Sequence, residues 1–321
     1  MQTSIESRTI EVAPAADAGA QIPVTVVRGA RPGPTLALIA GNHGYEYPPI
    51  LALQNFRAQV DPRELSGTIV MVHVANMPSF LGRTIYFSPV DGKNLNRVYP
   101  GRVDGTVSER IAYAITNDII EKADYVLDLH CGDGNESLRP YVYQTVTSDS
   151  ELNAKIARLA LAFGIDHIVV DRNRPADPAR SIYCSSTAIT RGKPAITVEN
   201  GYLGTTDAVC VDEIICGIHG VLRELKMLPT GPGALSRATY LDPVEVLTSP
   251  ETGILYPRVE RDRLVRKGDV LAHVTDFFRQ PVAEITSPLD GVVLYIVATP
   301  PITKGQPVAC VGEPHSAPPE L

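Results

Sequence analysis

The sequence predicts an α/β protein, a mixed sheet flanked by helices, followed by a small C-terminal all-β barrel-like domain. Three observations carry that expectation. From about 34 to 228, apolar strand-like runs alternate with helix-periodic segments. Pro229-Thr230-Gly231-Pro232-Gly233 then reads as a linker. Beyond it, short Val-rich runs are separated by Gly and Pro corners. The expected division is 1–230, with an N-terminal β extension over 1–33, then 235–313, then a frayed tail over 314–321.

The runs 35–40, 68–75, 125–129, 167–171 and 195–199 are short, rich in Val and Ile, and bounded by turn residues. They read as buried strands. Thr106 and Glu109 match a capping box, so a helix starts there. Val107, Ile111, Ile115 and Ile119 follow at four-residue spacing. Further helices are predicted over 151–163 and 207–227, the latter with Val211, Ile215, Ile218, Leu222 and Leu225 on one face. In the C-terminal part, 270–274, 283–286 and 292–297 read as strands. Arg266-Lys267-Gly268-Asp269 and Thr303-Lys304-Gly305-Gln306 read as corners.

Composition excludes several functions. The chain has 321 residues, enough to bury a large core without metal or disulfide support. A net charge of −7 and the lack of Trp argue against nucleic-acid binding. The five cysteines are odd in number and form no C-x-x-C pair, so neither a disulfide framework nor a Cys-rich zinc knuckle is expected. No basic-then-apolar leader and no apolar run near ~18 residues is present, so the expected site is the cytoplasm, with no membrane partner. Homo-oligomers are neither required nor excluded by any pattern.

Four segments carry chemistry. Gly41-Asn42-His43-Gly44-Tyr45-Glu46 follows the strand 35–40, and open α/β sheets bind ligands beyond the carboxyl ends of strands. One turn can aim His43 and Glu46 at one ion, although such a pair is also common on exposed loops. Asp128-Leu129-His130 closes the strand 125–129. Alternation puts Asp128 and His130 on one face, so Asp128 can orient the imidazole from behind; a strand-end histidine with a solvated neighbour is the plainer reading. In Thr197-Val198-Glu199-Asn200-Gly201, a carboxylate ends a buried strand, which is costly without a partner or a task unless it reaches solvent at the rim. The polar loop 91–101 carries Arg97, which can fork onto a carboxylate, or it is simply a structured surface loop. His73, inside an apolar run, reads as a hydrogen-bonded core histidine. Cys131 is expected to point away from the His130 side. Pro48-Pro49 is expected to shape a turn. Together the four segments are the parts of a mononuclear zinc hydrolase.

In this order and spacing they resemble the succinylglutamate desuccinylase/aspartoacylase family, a branch of the zinc carboxypeptidase-like fold. The resemblance runs from Gly41-Asn42-His43-Gly44-Tyr45-Glu46 through Asn94-Leu95-Asn96-Arg97-Val98-Tyr99-Pro100-Gly101 and Asp128-Leu129-His130 to Glu199. It extends to Ser287-Pro288-Leu289-Asp290-Gly291-Val292-Val293-Leu294, and covers roughly 34–313. It implies one Zn2+ per chain, held by His43, Glu46 and His130. Glu199 is the implied catalytic carboxylate, and Asn96 and Arg97 are implied to hold a substrate carboxylate. Arg83 is the nearest upstream match to an arginine that polarises the scissile carbonyl; relatives carry an Arg nearer the Pro, where this chain has Tyr86. Asn94 stands where some relatives carry Asp. The implied activity is hydrolysis of the amide of a small N-acyl amino acid by metal-activated water, with the C-terminal domain restricting access. A carboxypeptidase acting on peptides would use the same residues. A non-catalytic binding protein is the third reading; the C-terminal part resembles biotinyl/lipoyl barrels, but no Met-Lys-Met turn is present.

Overall fold

A computed structural model describes residues 3–317. The first strands are β1 (Ser4–Val12), β2 (Ala20–Arg28), β3 (Arg31–Ala40), β4 (Ser66–Val72), β5 (Tyr125–His130), β6 (Glu136–Leu138), β7 (Tyr141–Thr145), β8 (His167–Asp171) and β9 (Ala195–Glu199). Between them lie α1 (Tyr47–Gln59), α2 (Met77–Gly82), α3 (Val107–Asp118), α4 (Ser150–Phe163) and α5 (Cys184–Ile189), and α6 (Ala208–Glu224) follows. The centre of the sheet is parallel: β3 lies between β4 and β5, and β5 pairs with β9. β7 runs antiparallel to β9 and parallel to β8. β1 and β2 form an antiparallel ribbon on the β4 edge.

The predicted strands and helices are present, with ends moved by a few residues. The strand 125–129 runs one residue further and takes in His130. The capping box forms: Glu109 Oε2 accepts from the Thr106 N–H at 2.9 Å. The apolar stripes marked on α3 and α6 are buried except for half-buried Leu225, and α4 buries Leu152, Ile156 and Leu159, because an amphipathic helix gains most of its stability by packing that stripe. α1, α4 and α6 pack side by side, and α5 lies against β5 and β9. β3 buries Leu36 through Ala40 completely, as a central parallel strand covered on both faces must.

The C-terminal part differs from expectation. β10 (Thr239–Thr248) pairs in parallel with β8 and continues the large sheet. The later strands are β11 (Gly253–Pro257), β12 (Leu264–Val265), β13 (Val270–Thr275), β14 (Pro281–Thr286), β15 (Gly291–Val297), β16 (Pro301–Ile302) and β17 (Pro307–His315). β17, β15 and β12 extend the large sheet to thirteen strands among the described residues, counting β6, which pairs with β15. β14, β13, β11 and β16 form a second, antiparallel sheet. These strands therefore do not close into a separate barrel. Pairing β10 onto β8 satisfies a backbone edge that would otherwise stay open. The two sheets share an apolar core that includes Leu255, Leu271, Val274, Val293, Ile296 and Val308. The tail is also shorter than expected, since Pro314 and His315 pair with Leu241 and Tyr240. Residues 318–321 lie outside the described residues. Among the described residues, no helix is long and apolar enough to cross a membrane.

Candidate active site

Parallel register brings the sequence motifs to one edge. Ala40 of β3 lies beside Leu129 of β5, and His130 beside Glu199 of β9. After β3 the chain turns at Gly41, with φ +73°, where a Cβ would sit 3.1 Å from the Val74 Cα. At Gly44 a Cβ would fall 2.3 Å from the Ser79 carbonyl oxygen, so only glycine fits. This turn lifts His43 and Glu46 over the sheet edge. Glu46 is the N-cap of α1, and Pro48 and Pro49 occupy the helix's first turn, where their missing N–H groups cost nothing. The Glu46 carboxylate makes no cap bond to the helix and faces the histidines instead.

Glu46 Oε1 lies 2.8 Å from His43 Nδ1 and 2.8 Å from His130 Nδ1. The outer ring nitrogens are also engaged. His43 Nε2 reaches Asn94 Oδ1 at 3.0 Å, and His130 Nε2 reaches Asp128 Oδ1 at 2.9 Å. A proton on each Nε2 satisfies these two oxygens and leaves the Nδ1 lone pairs aimed at Glu46; the amide nitrogens of Asn42 and Asn96 also lie 3.4 and 3.3 Å from His130 Nε2. Asp128 is fixed in turn: Asn42 Nδ2 donates to its Oδ1 at 3.0 Å and the Ser185 N–H to its Oδ2 at 3.1 Å. Tyr99 holds Asn42 by donating to its Oδ1 at 3.0 Å. The three inner donor atoms lie within 4.8 Å of one another, and all three residues are buried. Two imidazole nitrogens and a carboxylate oxygen facing each other are satisfied by protons or by a cation. As a donor set they suit zinc and other first-row divalent ions. The electrostatics favour positive charge here. Burial works against charged histidines, but the Glu46 carboxylate outweighs it and raises the pKa of both His43 and His130. Burial likewise opposes a charged Glu46, yet the two imidazoles hold its pKa below the usual carboxylate range.

A cavity of about 150 Å3 opens above these donors. Glu199 lines it, its carboxyl pushed up to about 8 by burial and by the Glu46 and Glu136 charges, against the pull of His130. Asn96 is buried in the wall, and its Oδ1 accepts from the Cys184 N–H at 2.9 Å. Arg97 also lines the cavity, its guanidinium 4.7 Å from the Tyr183 ring centre. Arg174 approaches the same ring to 4.1 Å. Asp133, Glu136 and Tyr86 contribute a further stretch of wall, and Tyr295 reaches in from β15. Burial pushes the Asp133 carboxyl up to about 6 and that of Glu136 up to about 7.

The structure thus brings together His43, Glu46, His130, Glu199, Asn96 and Arg97, with Asp128 behind His130. Arg83 is elsewhere: it ends α2 in a left-handed conformation, φ +50°, with its side chain exposed and outside the cavity lining. His73 is buried and bonded to Thr25 at 2.8 Å, as a core histidine. Cys131, expected to face away, lines the cavity, because β5 ends at His130 and alternation stops there. Sequence reasoning missed Asp133, Glu136, Arg174, Tyr183 and Tyr295, and noted Tyr86 only as the residue standing where relatives carry an Arg. None sits in a motif, and only the acids' place just after His130 offered a signal.

Residues 32–225 match the family model for the succinylglutamate desuccinylase/aspartoacylase catalytic domain. The N-alpha-acetyl-L-2,4-diaminobutyric acid deacetylase of Halomonas elongata is 32% identical over 305 residues, covering 91% of this chain and 85% of that protein. The solved structure of the ectoine utilization protein EutE (DoeB) from Ruegeria pomeroyi, in a product-bound form, matches with a TM-score of 0.85 at 27% identity, covering 96% of this chain and 95% of its own. A succinylglutamate desuccinylase/aspartoacylase from Rhodobacter sphaeroides matches with a TM-score of 0.84 at 26% identity, covering 97% and 96%.

Proposed function

The chain belongs to the succinylglutamate desuccinylase/aspartoacylase family, and we propose that it is a zinc-dependent deacylase on a zinc carboxypeptidase-like scaffold, hydrolysing the amide of a small N-acyl amino acid. One observation carries this reading: His43, Glu46 and His130 converge beside Glu199 inside a single cavity. His43, Glu46 and His130 would hold the zinc, which would supply a Lewis acid and lower the pKa of water towards ~7. Glu199 takes the proton of the attacking water and returns it to the leaving nitrogen as the C–N bond breaks. Such acid–base work is typically worth about 10²–10⁴ in rate. Asn96 and Arg97 hold the substrate carboxylate, which fixes the scissile amide over the donors. Asp128 keeps the His130 ring turned with Nδ1 inward. Arg83 is left out of this assignment because its side chain lies outside the cavity.

Size favours a small amide over a peptide. The cavity, about 150 Å3 with Tyr295 in its wall, is smaller than the ~300 Å3 at the low end of ordinary ligand pockets. The test is free-amine release from N-acetyl, N-formyl and N-succinyl amino acids beside short peptides, with and without a zinc chelator. The name of the Halomonas relative supplies the first substrate to try, N-α-acetyl-L-2,4-diaminobutyrate. The expected result is chelator-sensitive release from N-acyl amino acids. Release from peptides alone would put the carboxypeptidase reading in its place, and no release with zinc bound would end the deacylase reading.

A further inference from the structure

A second cavity, of about 470 Å3, shares no lining residue with the first. It lies where β1 and β2 meet α1, α2 and the segment after β4. Pro23, Ile50, Val74, Met77 and Phe80 give it an apolar lining, and Arg8 and Arg57 give it charge. No carboxylate lines it, in a chain whose net charge is −7. Among the described residues neither guanidinium pairs with a carboxylate: Arg57 Nε donates to the Ser7 hydroxyl at 3.2 Å, and Arg8 is exposed. From Ser7 a polar chain runs inward. Ser7 Oγ is 2.9 Å from Thr25 Oγ1, which is 2.8 Å from His73 Nε2. Arg57 supplies the donor at the outer end, so both hydroxyls can donate inward, and the proton of neutral His73 then stands on Nδ1. That nitrogen has no hydrogen-bond partner, although His73 is only 9% exposed. Burial and the Arg57 charge hold the His73 imidazole below its ordinary pKa, so the positive charge of the cavity is that of the arginines. Two guanidiniums without a counter-charge beside an apolar lining match an anion with an apolar body, and the volume falls within the ~300–1,000 Å3 of ordinary ligand pockets.

We propose that this cavity is a second ligand site, for a small organic carboxylate with an apolar chain, its carboxylate held by Arg8 and Arg57 and its chain lying against Met77 and Phe80. The site backs onto the turn that places His43. Ile50 and Val74 line it and also crowd Gly41, where a Cβ would come within 3.2 Å of Ile50 Cδ1 and 3.3 Å of Val74 Cγ1. The probes are hexanoate, hexanol, hexylamine and acetate. The readout is the Met77 methyl signal in protein with isotope-labelled methionine methyl groups, assigned with Met77→Leu. Met227, buried and outside the lining, is the control. Hexanoate should shift Met77 saturably and leave Met227 unmoved. Hexanol, hexylamine and acetate should each bind about tenfold more weakly or worse, since each lacks either the charge-assisted hydrogen bonds or the apolar contact. Arg8→Gln and Arg57→Gln should each weaken hexanoate by about tenfold and leave hexanol unchanged, which shows the cavity intact. The readout is binding, so failure of the deacylase reading leaves the outcome untouched. No saturable shift at Met77 would overturn the site, as would hexylamine binding as tightly as hexanoate. A shift that both arginine variants retain and His43→Ala abolishes would place the carboxylate at the donors instead and overturn it too.

Discussion

His43, Glu46 and His130 stand at the ends of two adjacent parallel strands, and their outer atoms are fixed by Asn94, Asp128 and Asn42. Asp133, Glu136 and Tyr295 come instead from the segment after β5, from β6 and from β15, and the two acids are joined through a left-handed Tyr86. The first group sits on the rigid edge of the sheet. The second is assembled where a loop meets the added C-terminal strands, since β6 pairs with β15. The difference is a division of support: the donors stand on strand ends packed into the sheet, whereas the acids depend on a loop and on strands from the far end of the chain.

The largest effect expected from breaking this division is at the donors. His43→Ala should leave well under one zinc per chain by elemental analysis and cost about 10³-fold or more in turnover, since a Lewis acid supplies several kcal/mol to the transition state. The N-acetyl, N-formyl and N-succinyl substrates should fall together. A variant that kept one tightly bound zinc would remove His43 from the donor set. Next in size is Glu199→Gln, which keeps shape but cannot accept the proton. It should retain zinc and lose about 10²–10⁴ in kcat, again for all N-acyl substrates alike. A near-normal rate would move the general base elsewhere. A change in the ratio between substrates would show that Glu199 also contacts the part of the substrate that differs.

The same division explains what could be read in the sequence. The donors were legible because each lies in a short motif that ends an apolar strand, and parallel strands end together. The capping box at Thr106 and the four-residue spacing from Val107 are likewise local. α1 was hidden, because Pro48-Pro49 looks like a turn and Ile50, Ala52, Leu53 and Phe56 are buried without forming a single stripe. β7 was hidden by its brevity and its tyrosines. The acids were not legible, because Asp133-Gly134-Asn135-Glu136 reads as an ordinary polar turn until Tyr86 and Tyr295 are placed against it. The C-terminal strands misled for a related reason: their texture predicts a closed barrel, while the β8–β10 pairing that opens it is a long-range event with no local signature.

The smallest effect is expected at Arg83, and its size decides how far the described cavity holds during turnover. Removing a donor that stabilises the developing oxyanion costs about 10²–10³ in kcat. Arg83 is exposed at the end of α2, so Arg83→Ala should change kcat/KM by less than about threefold, under 1 kcal/mol. A fall of 10² or more with zinc retained would mean that the segment after α2 rearranges when substrate binds and carries the guanidinium inward. Tyr86, three residues on, would have to move with it, and Asp133 and Glu136 are tied to Tyr86. The acid wall would then take its final shape only in the complex. A small effect at Arg83 leaves both sides of the cavity as they stand: fixed donors beneath, and a preformed acid wall beside them.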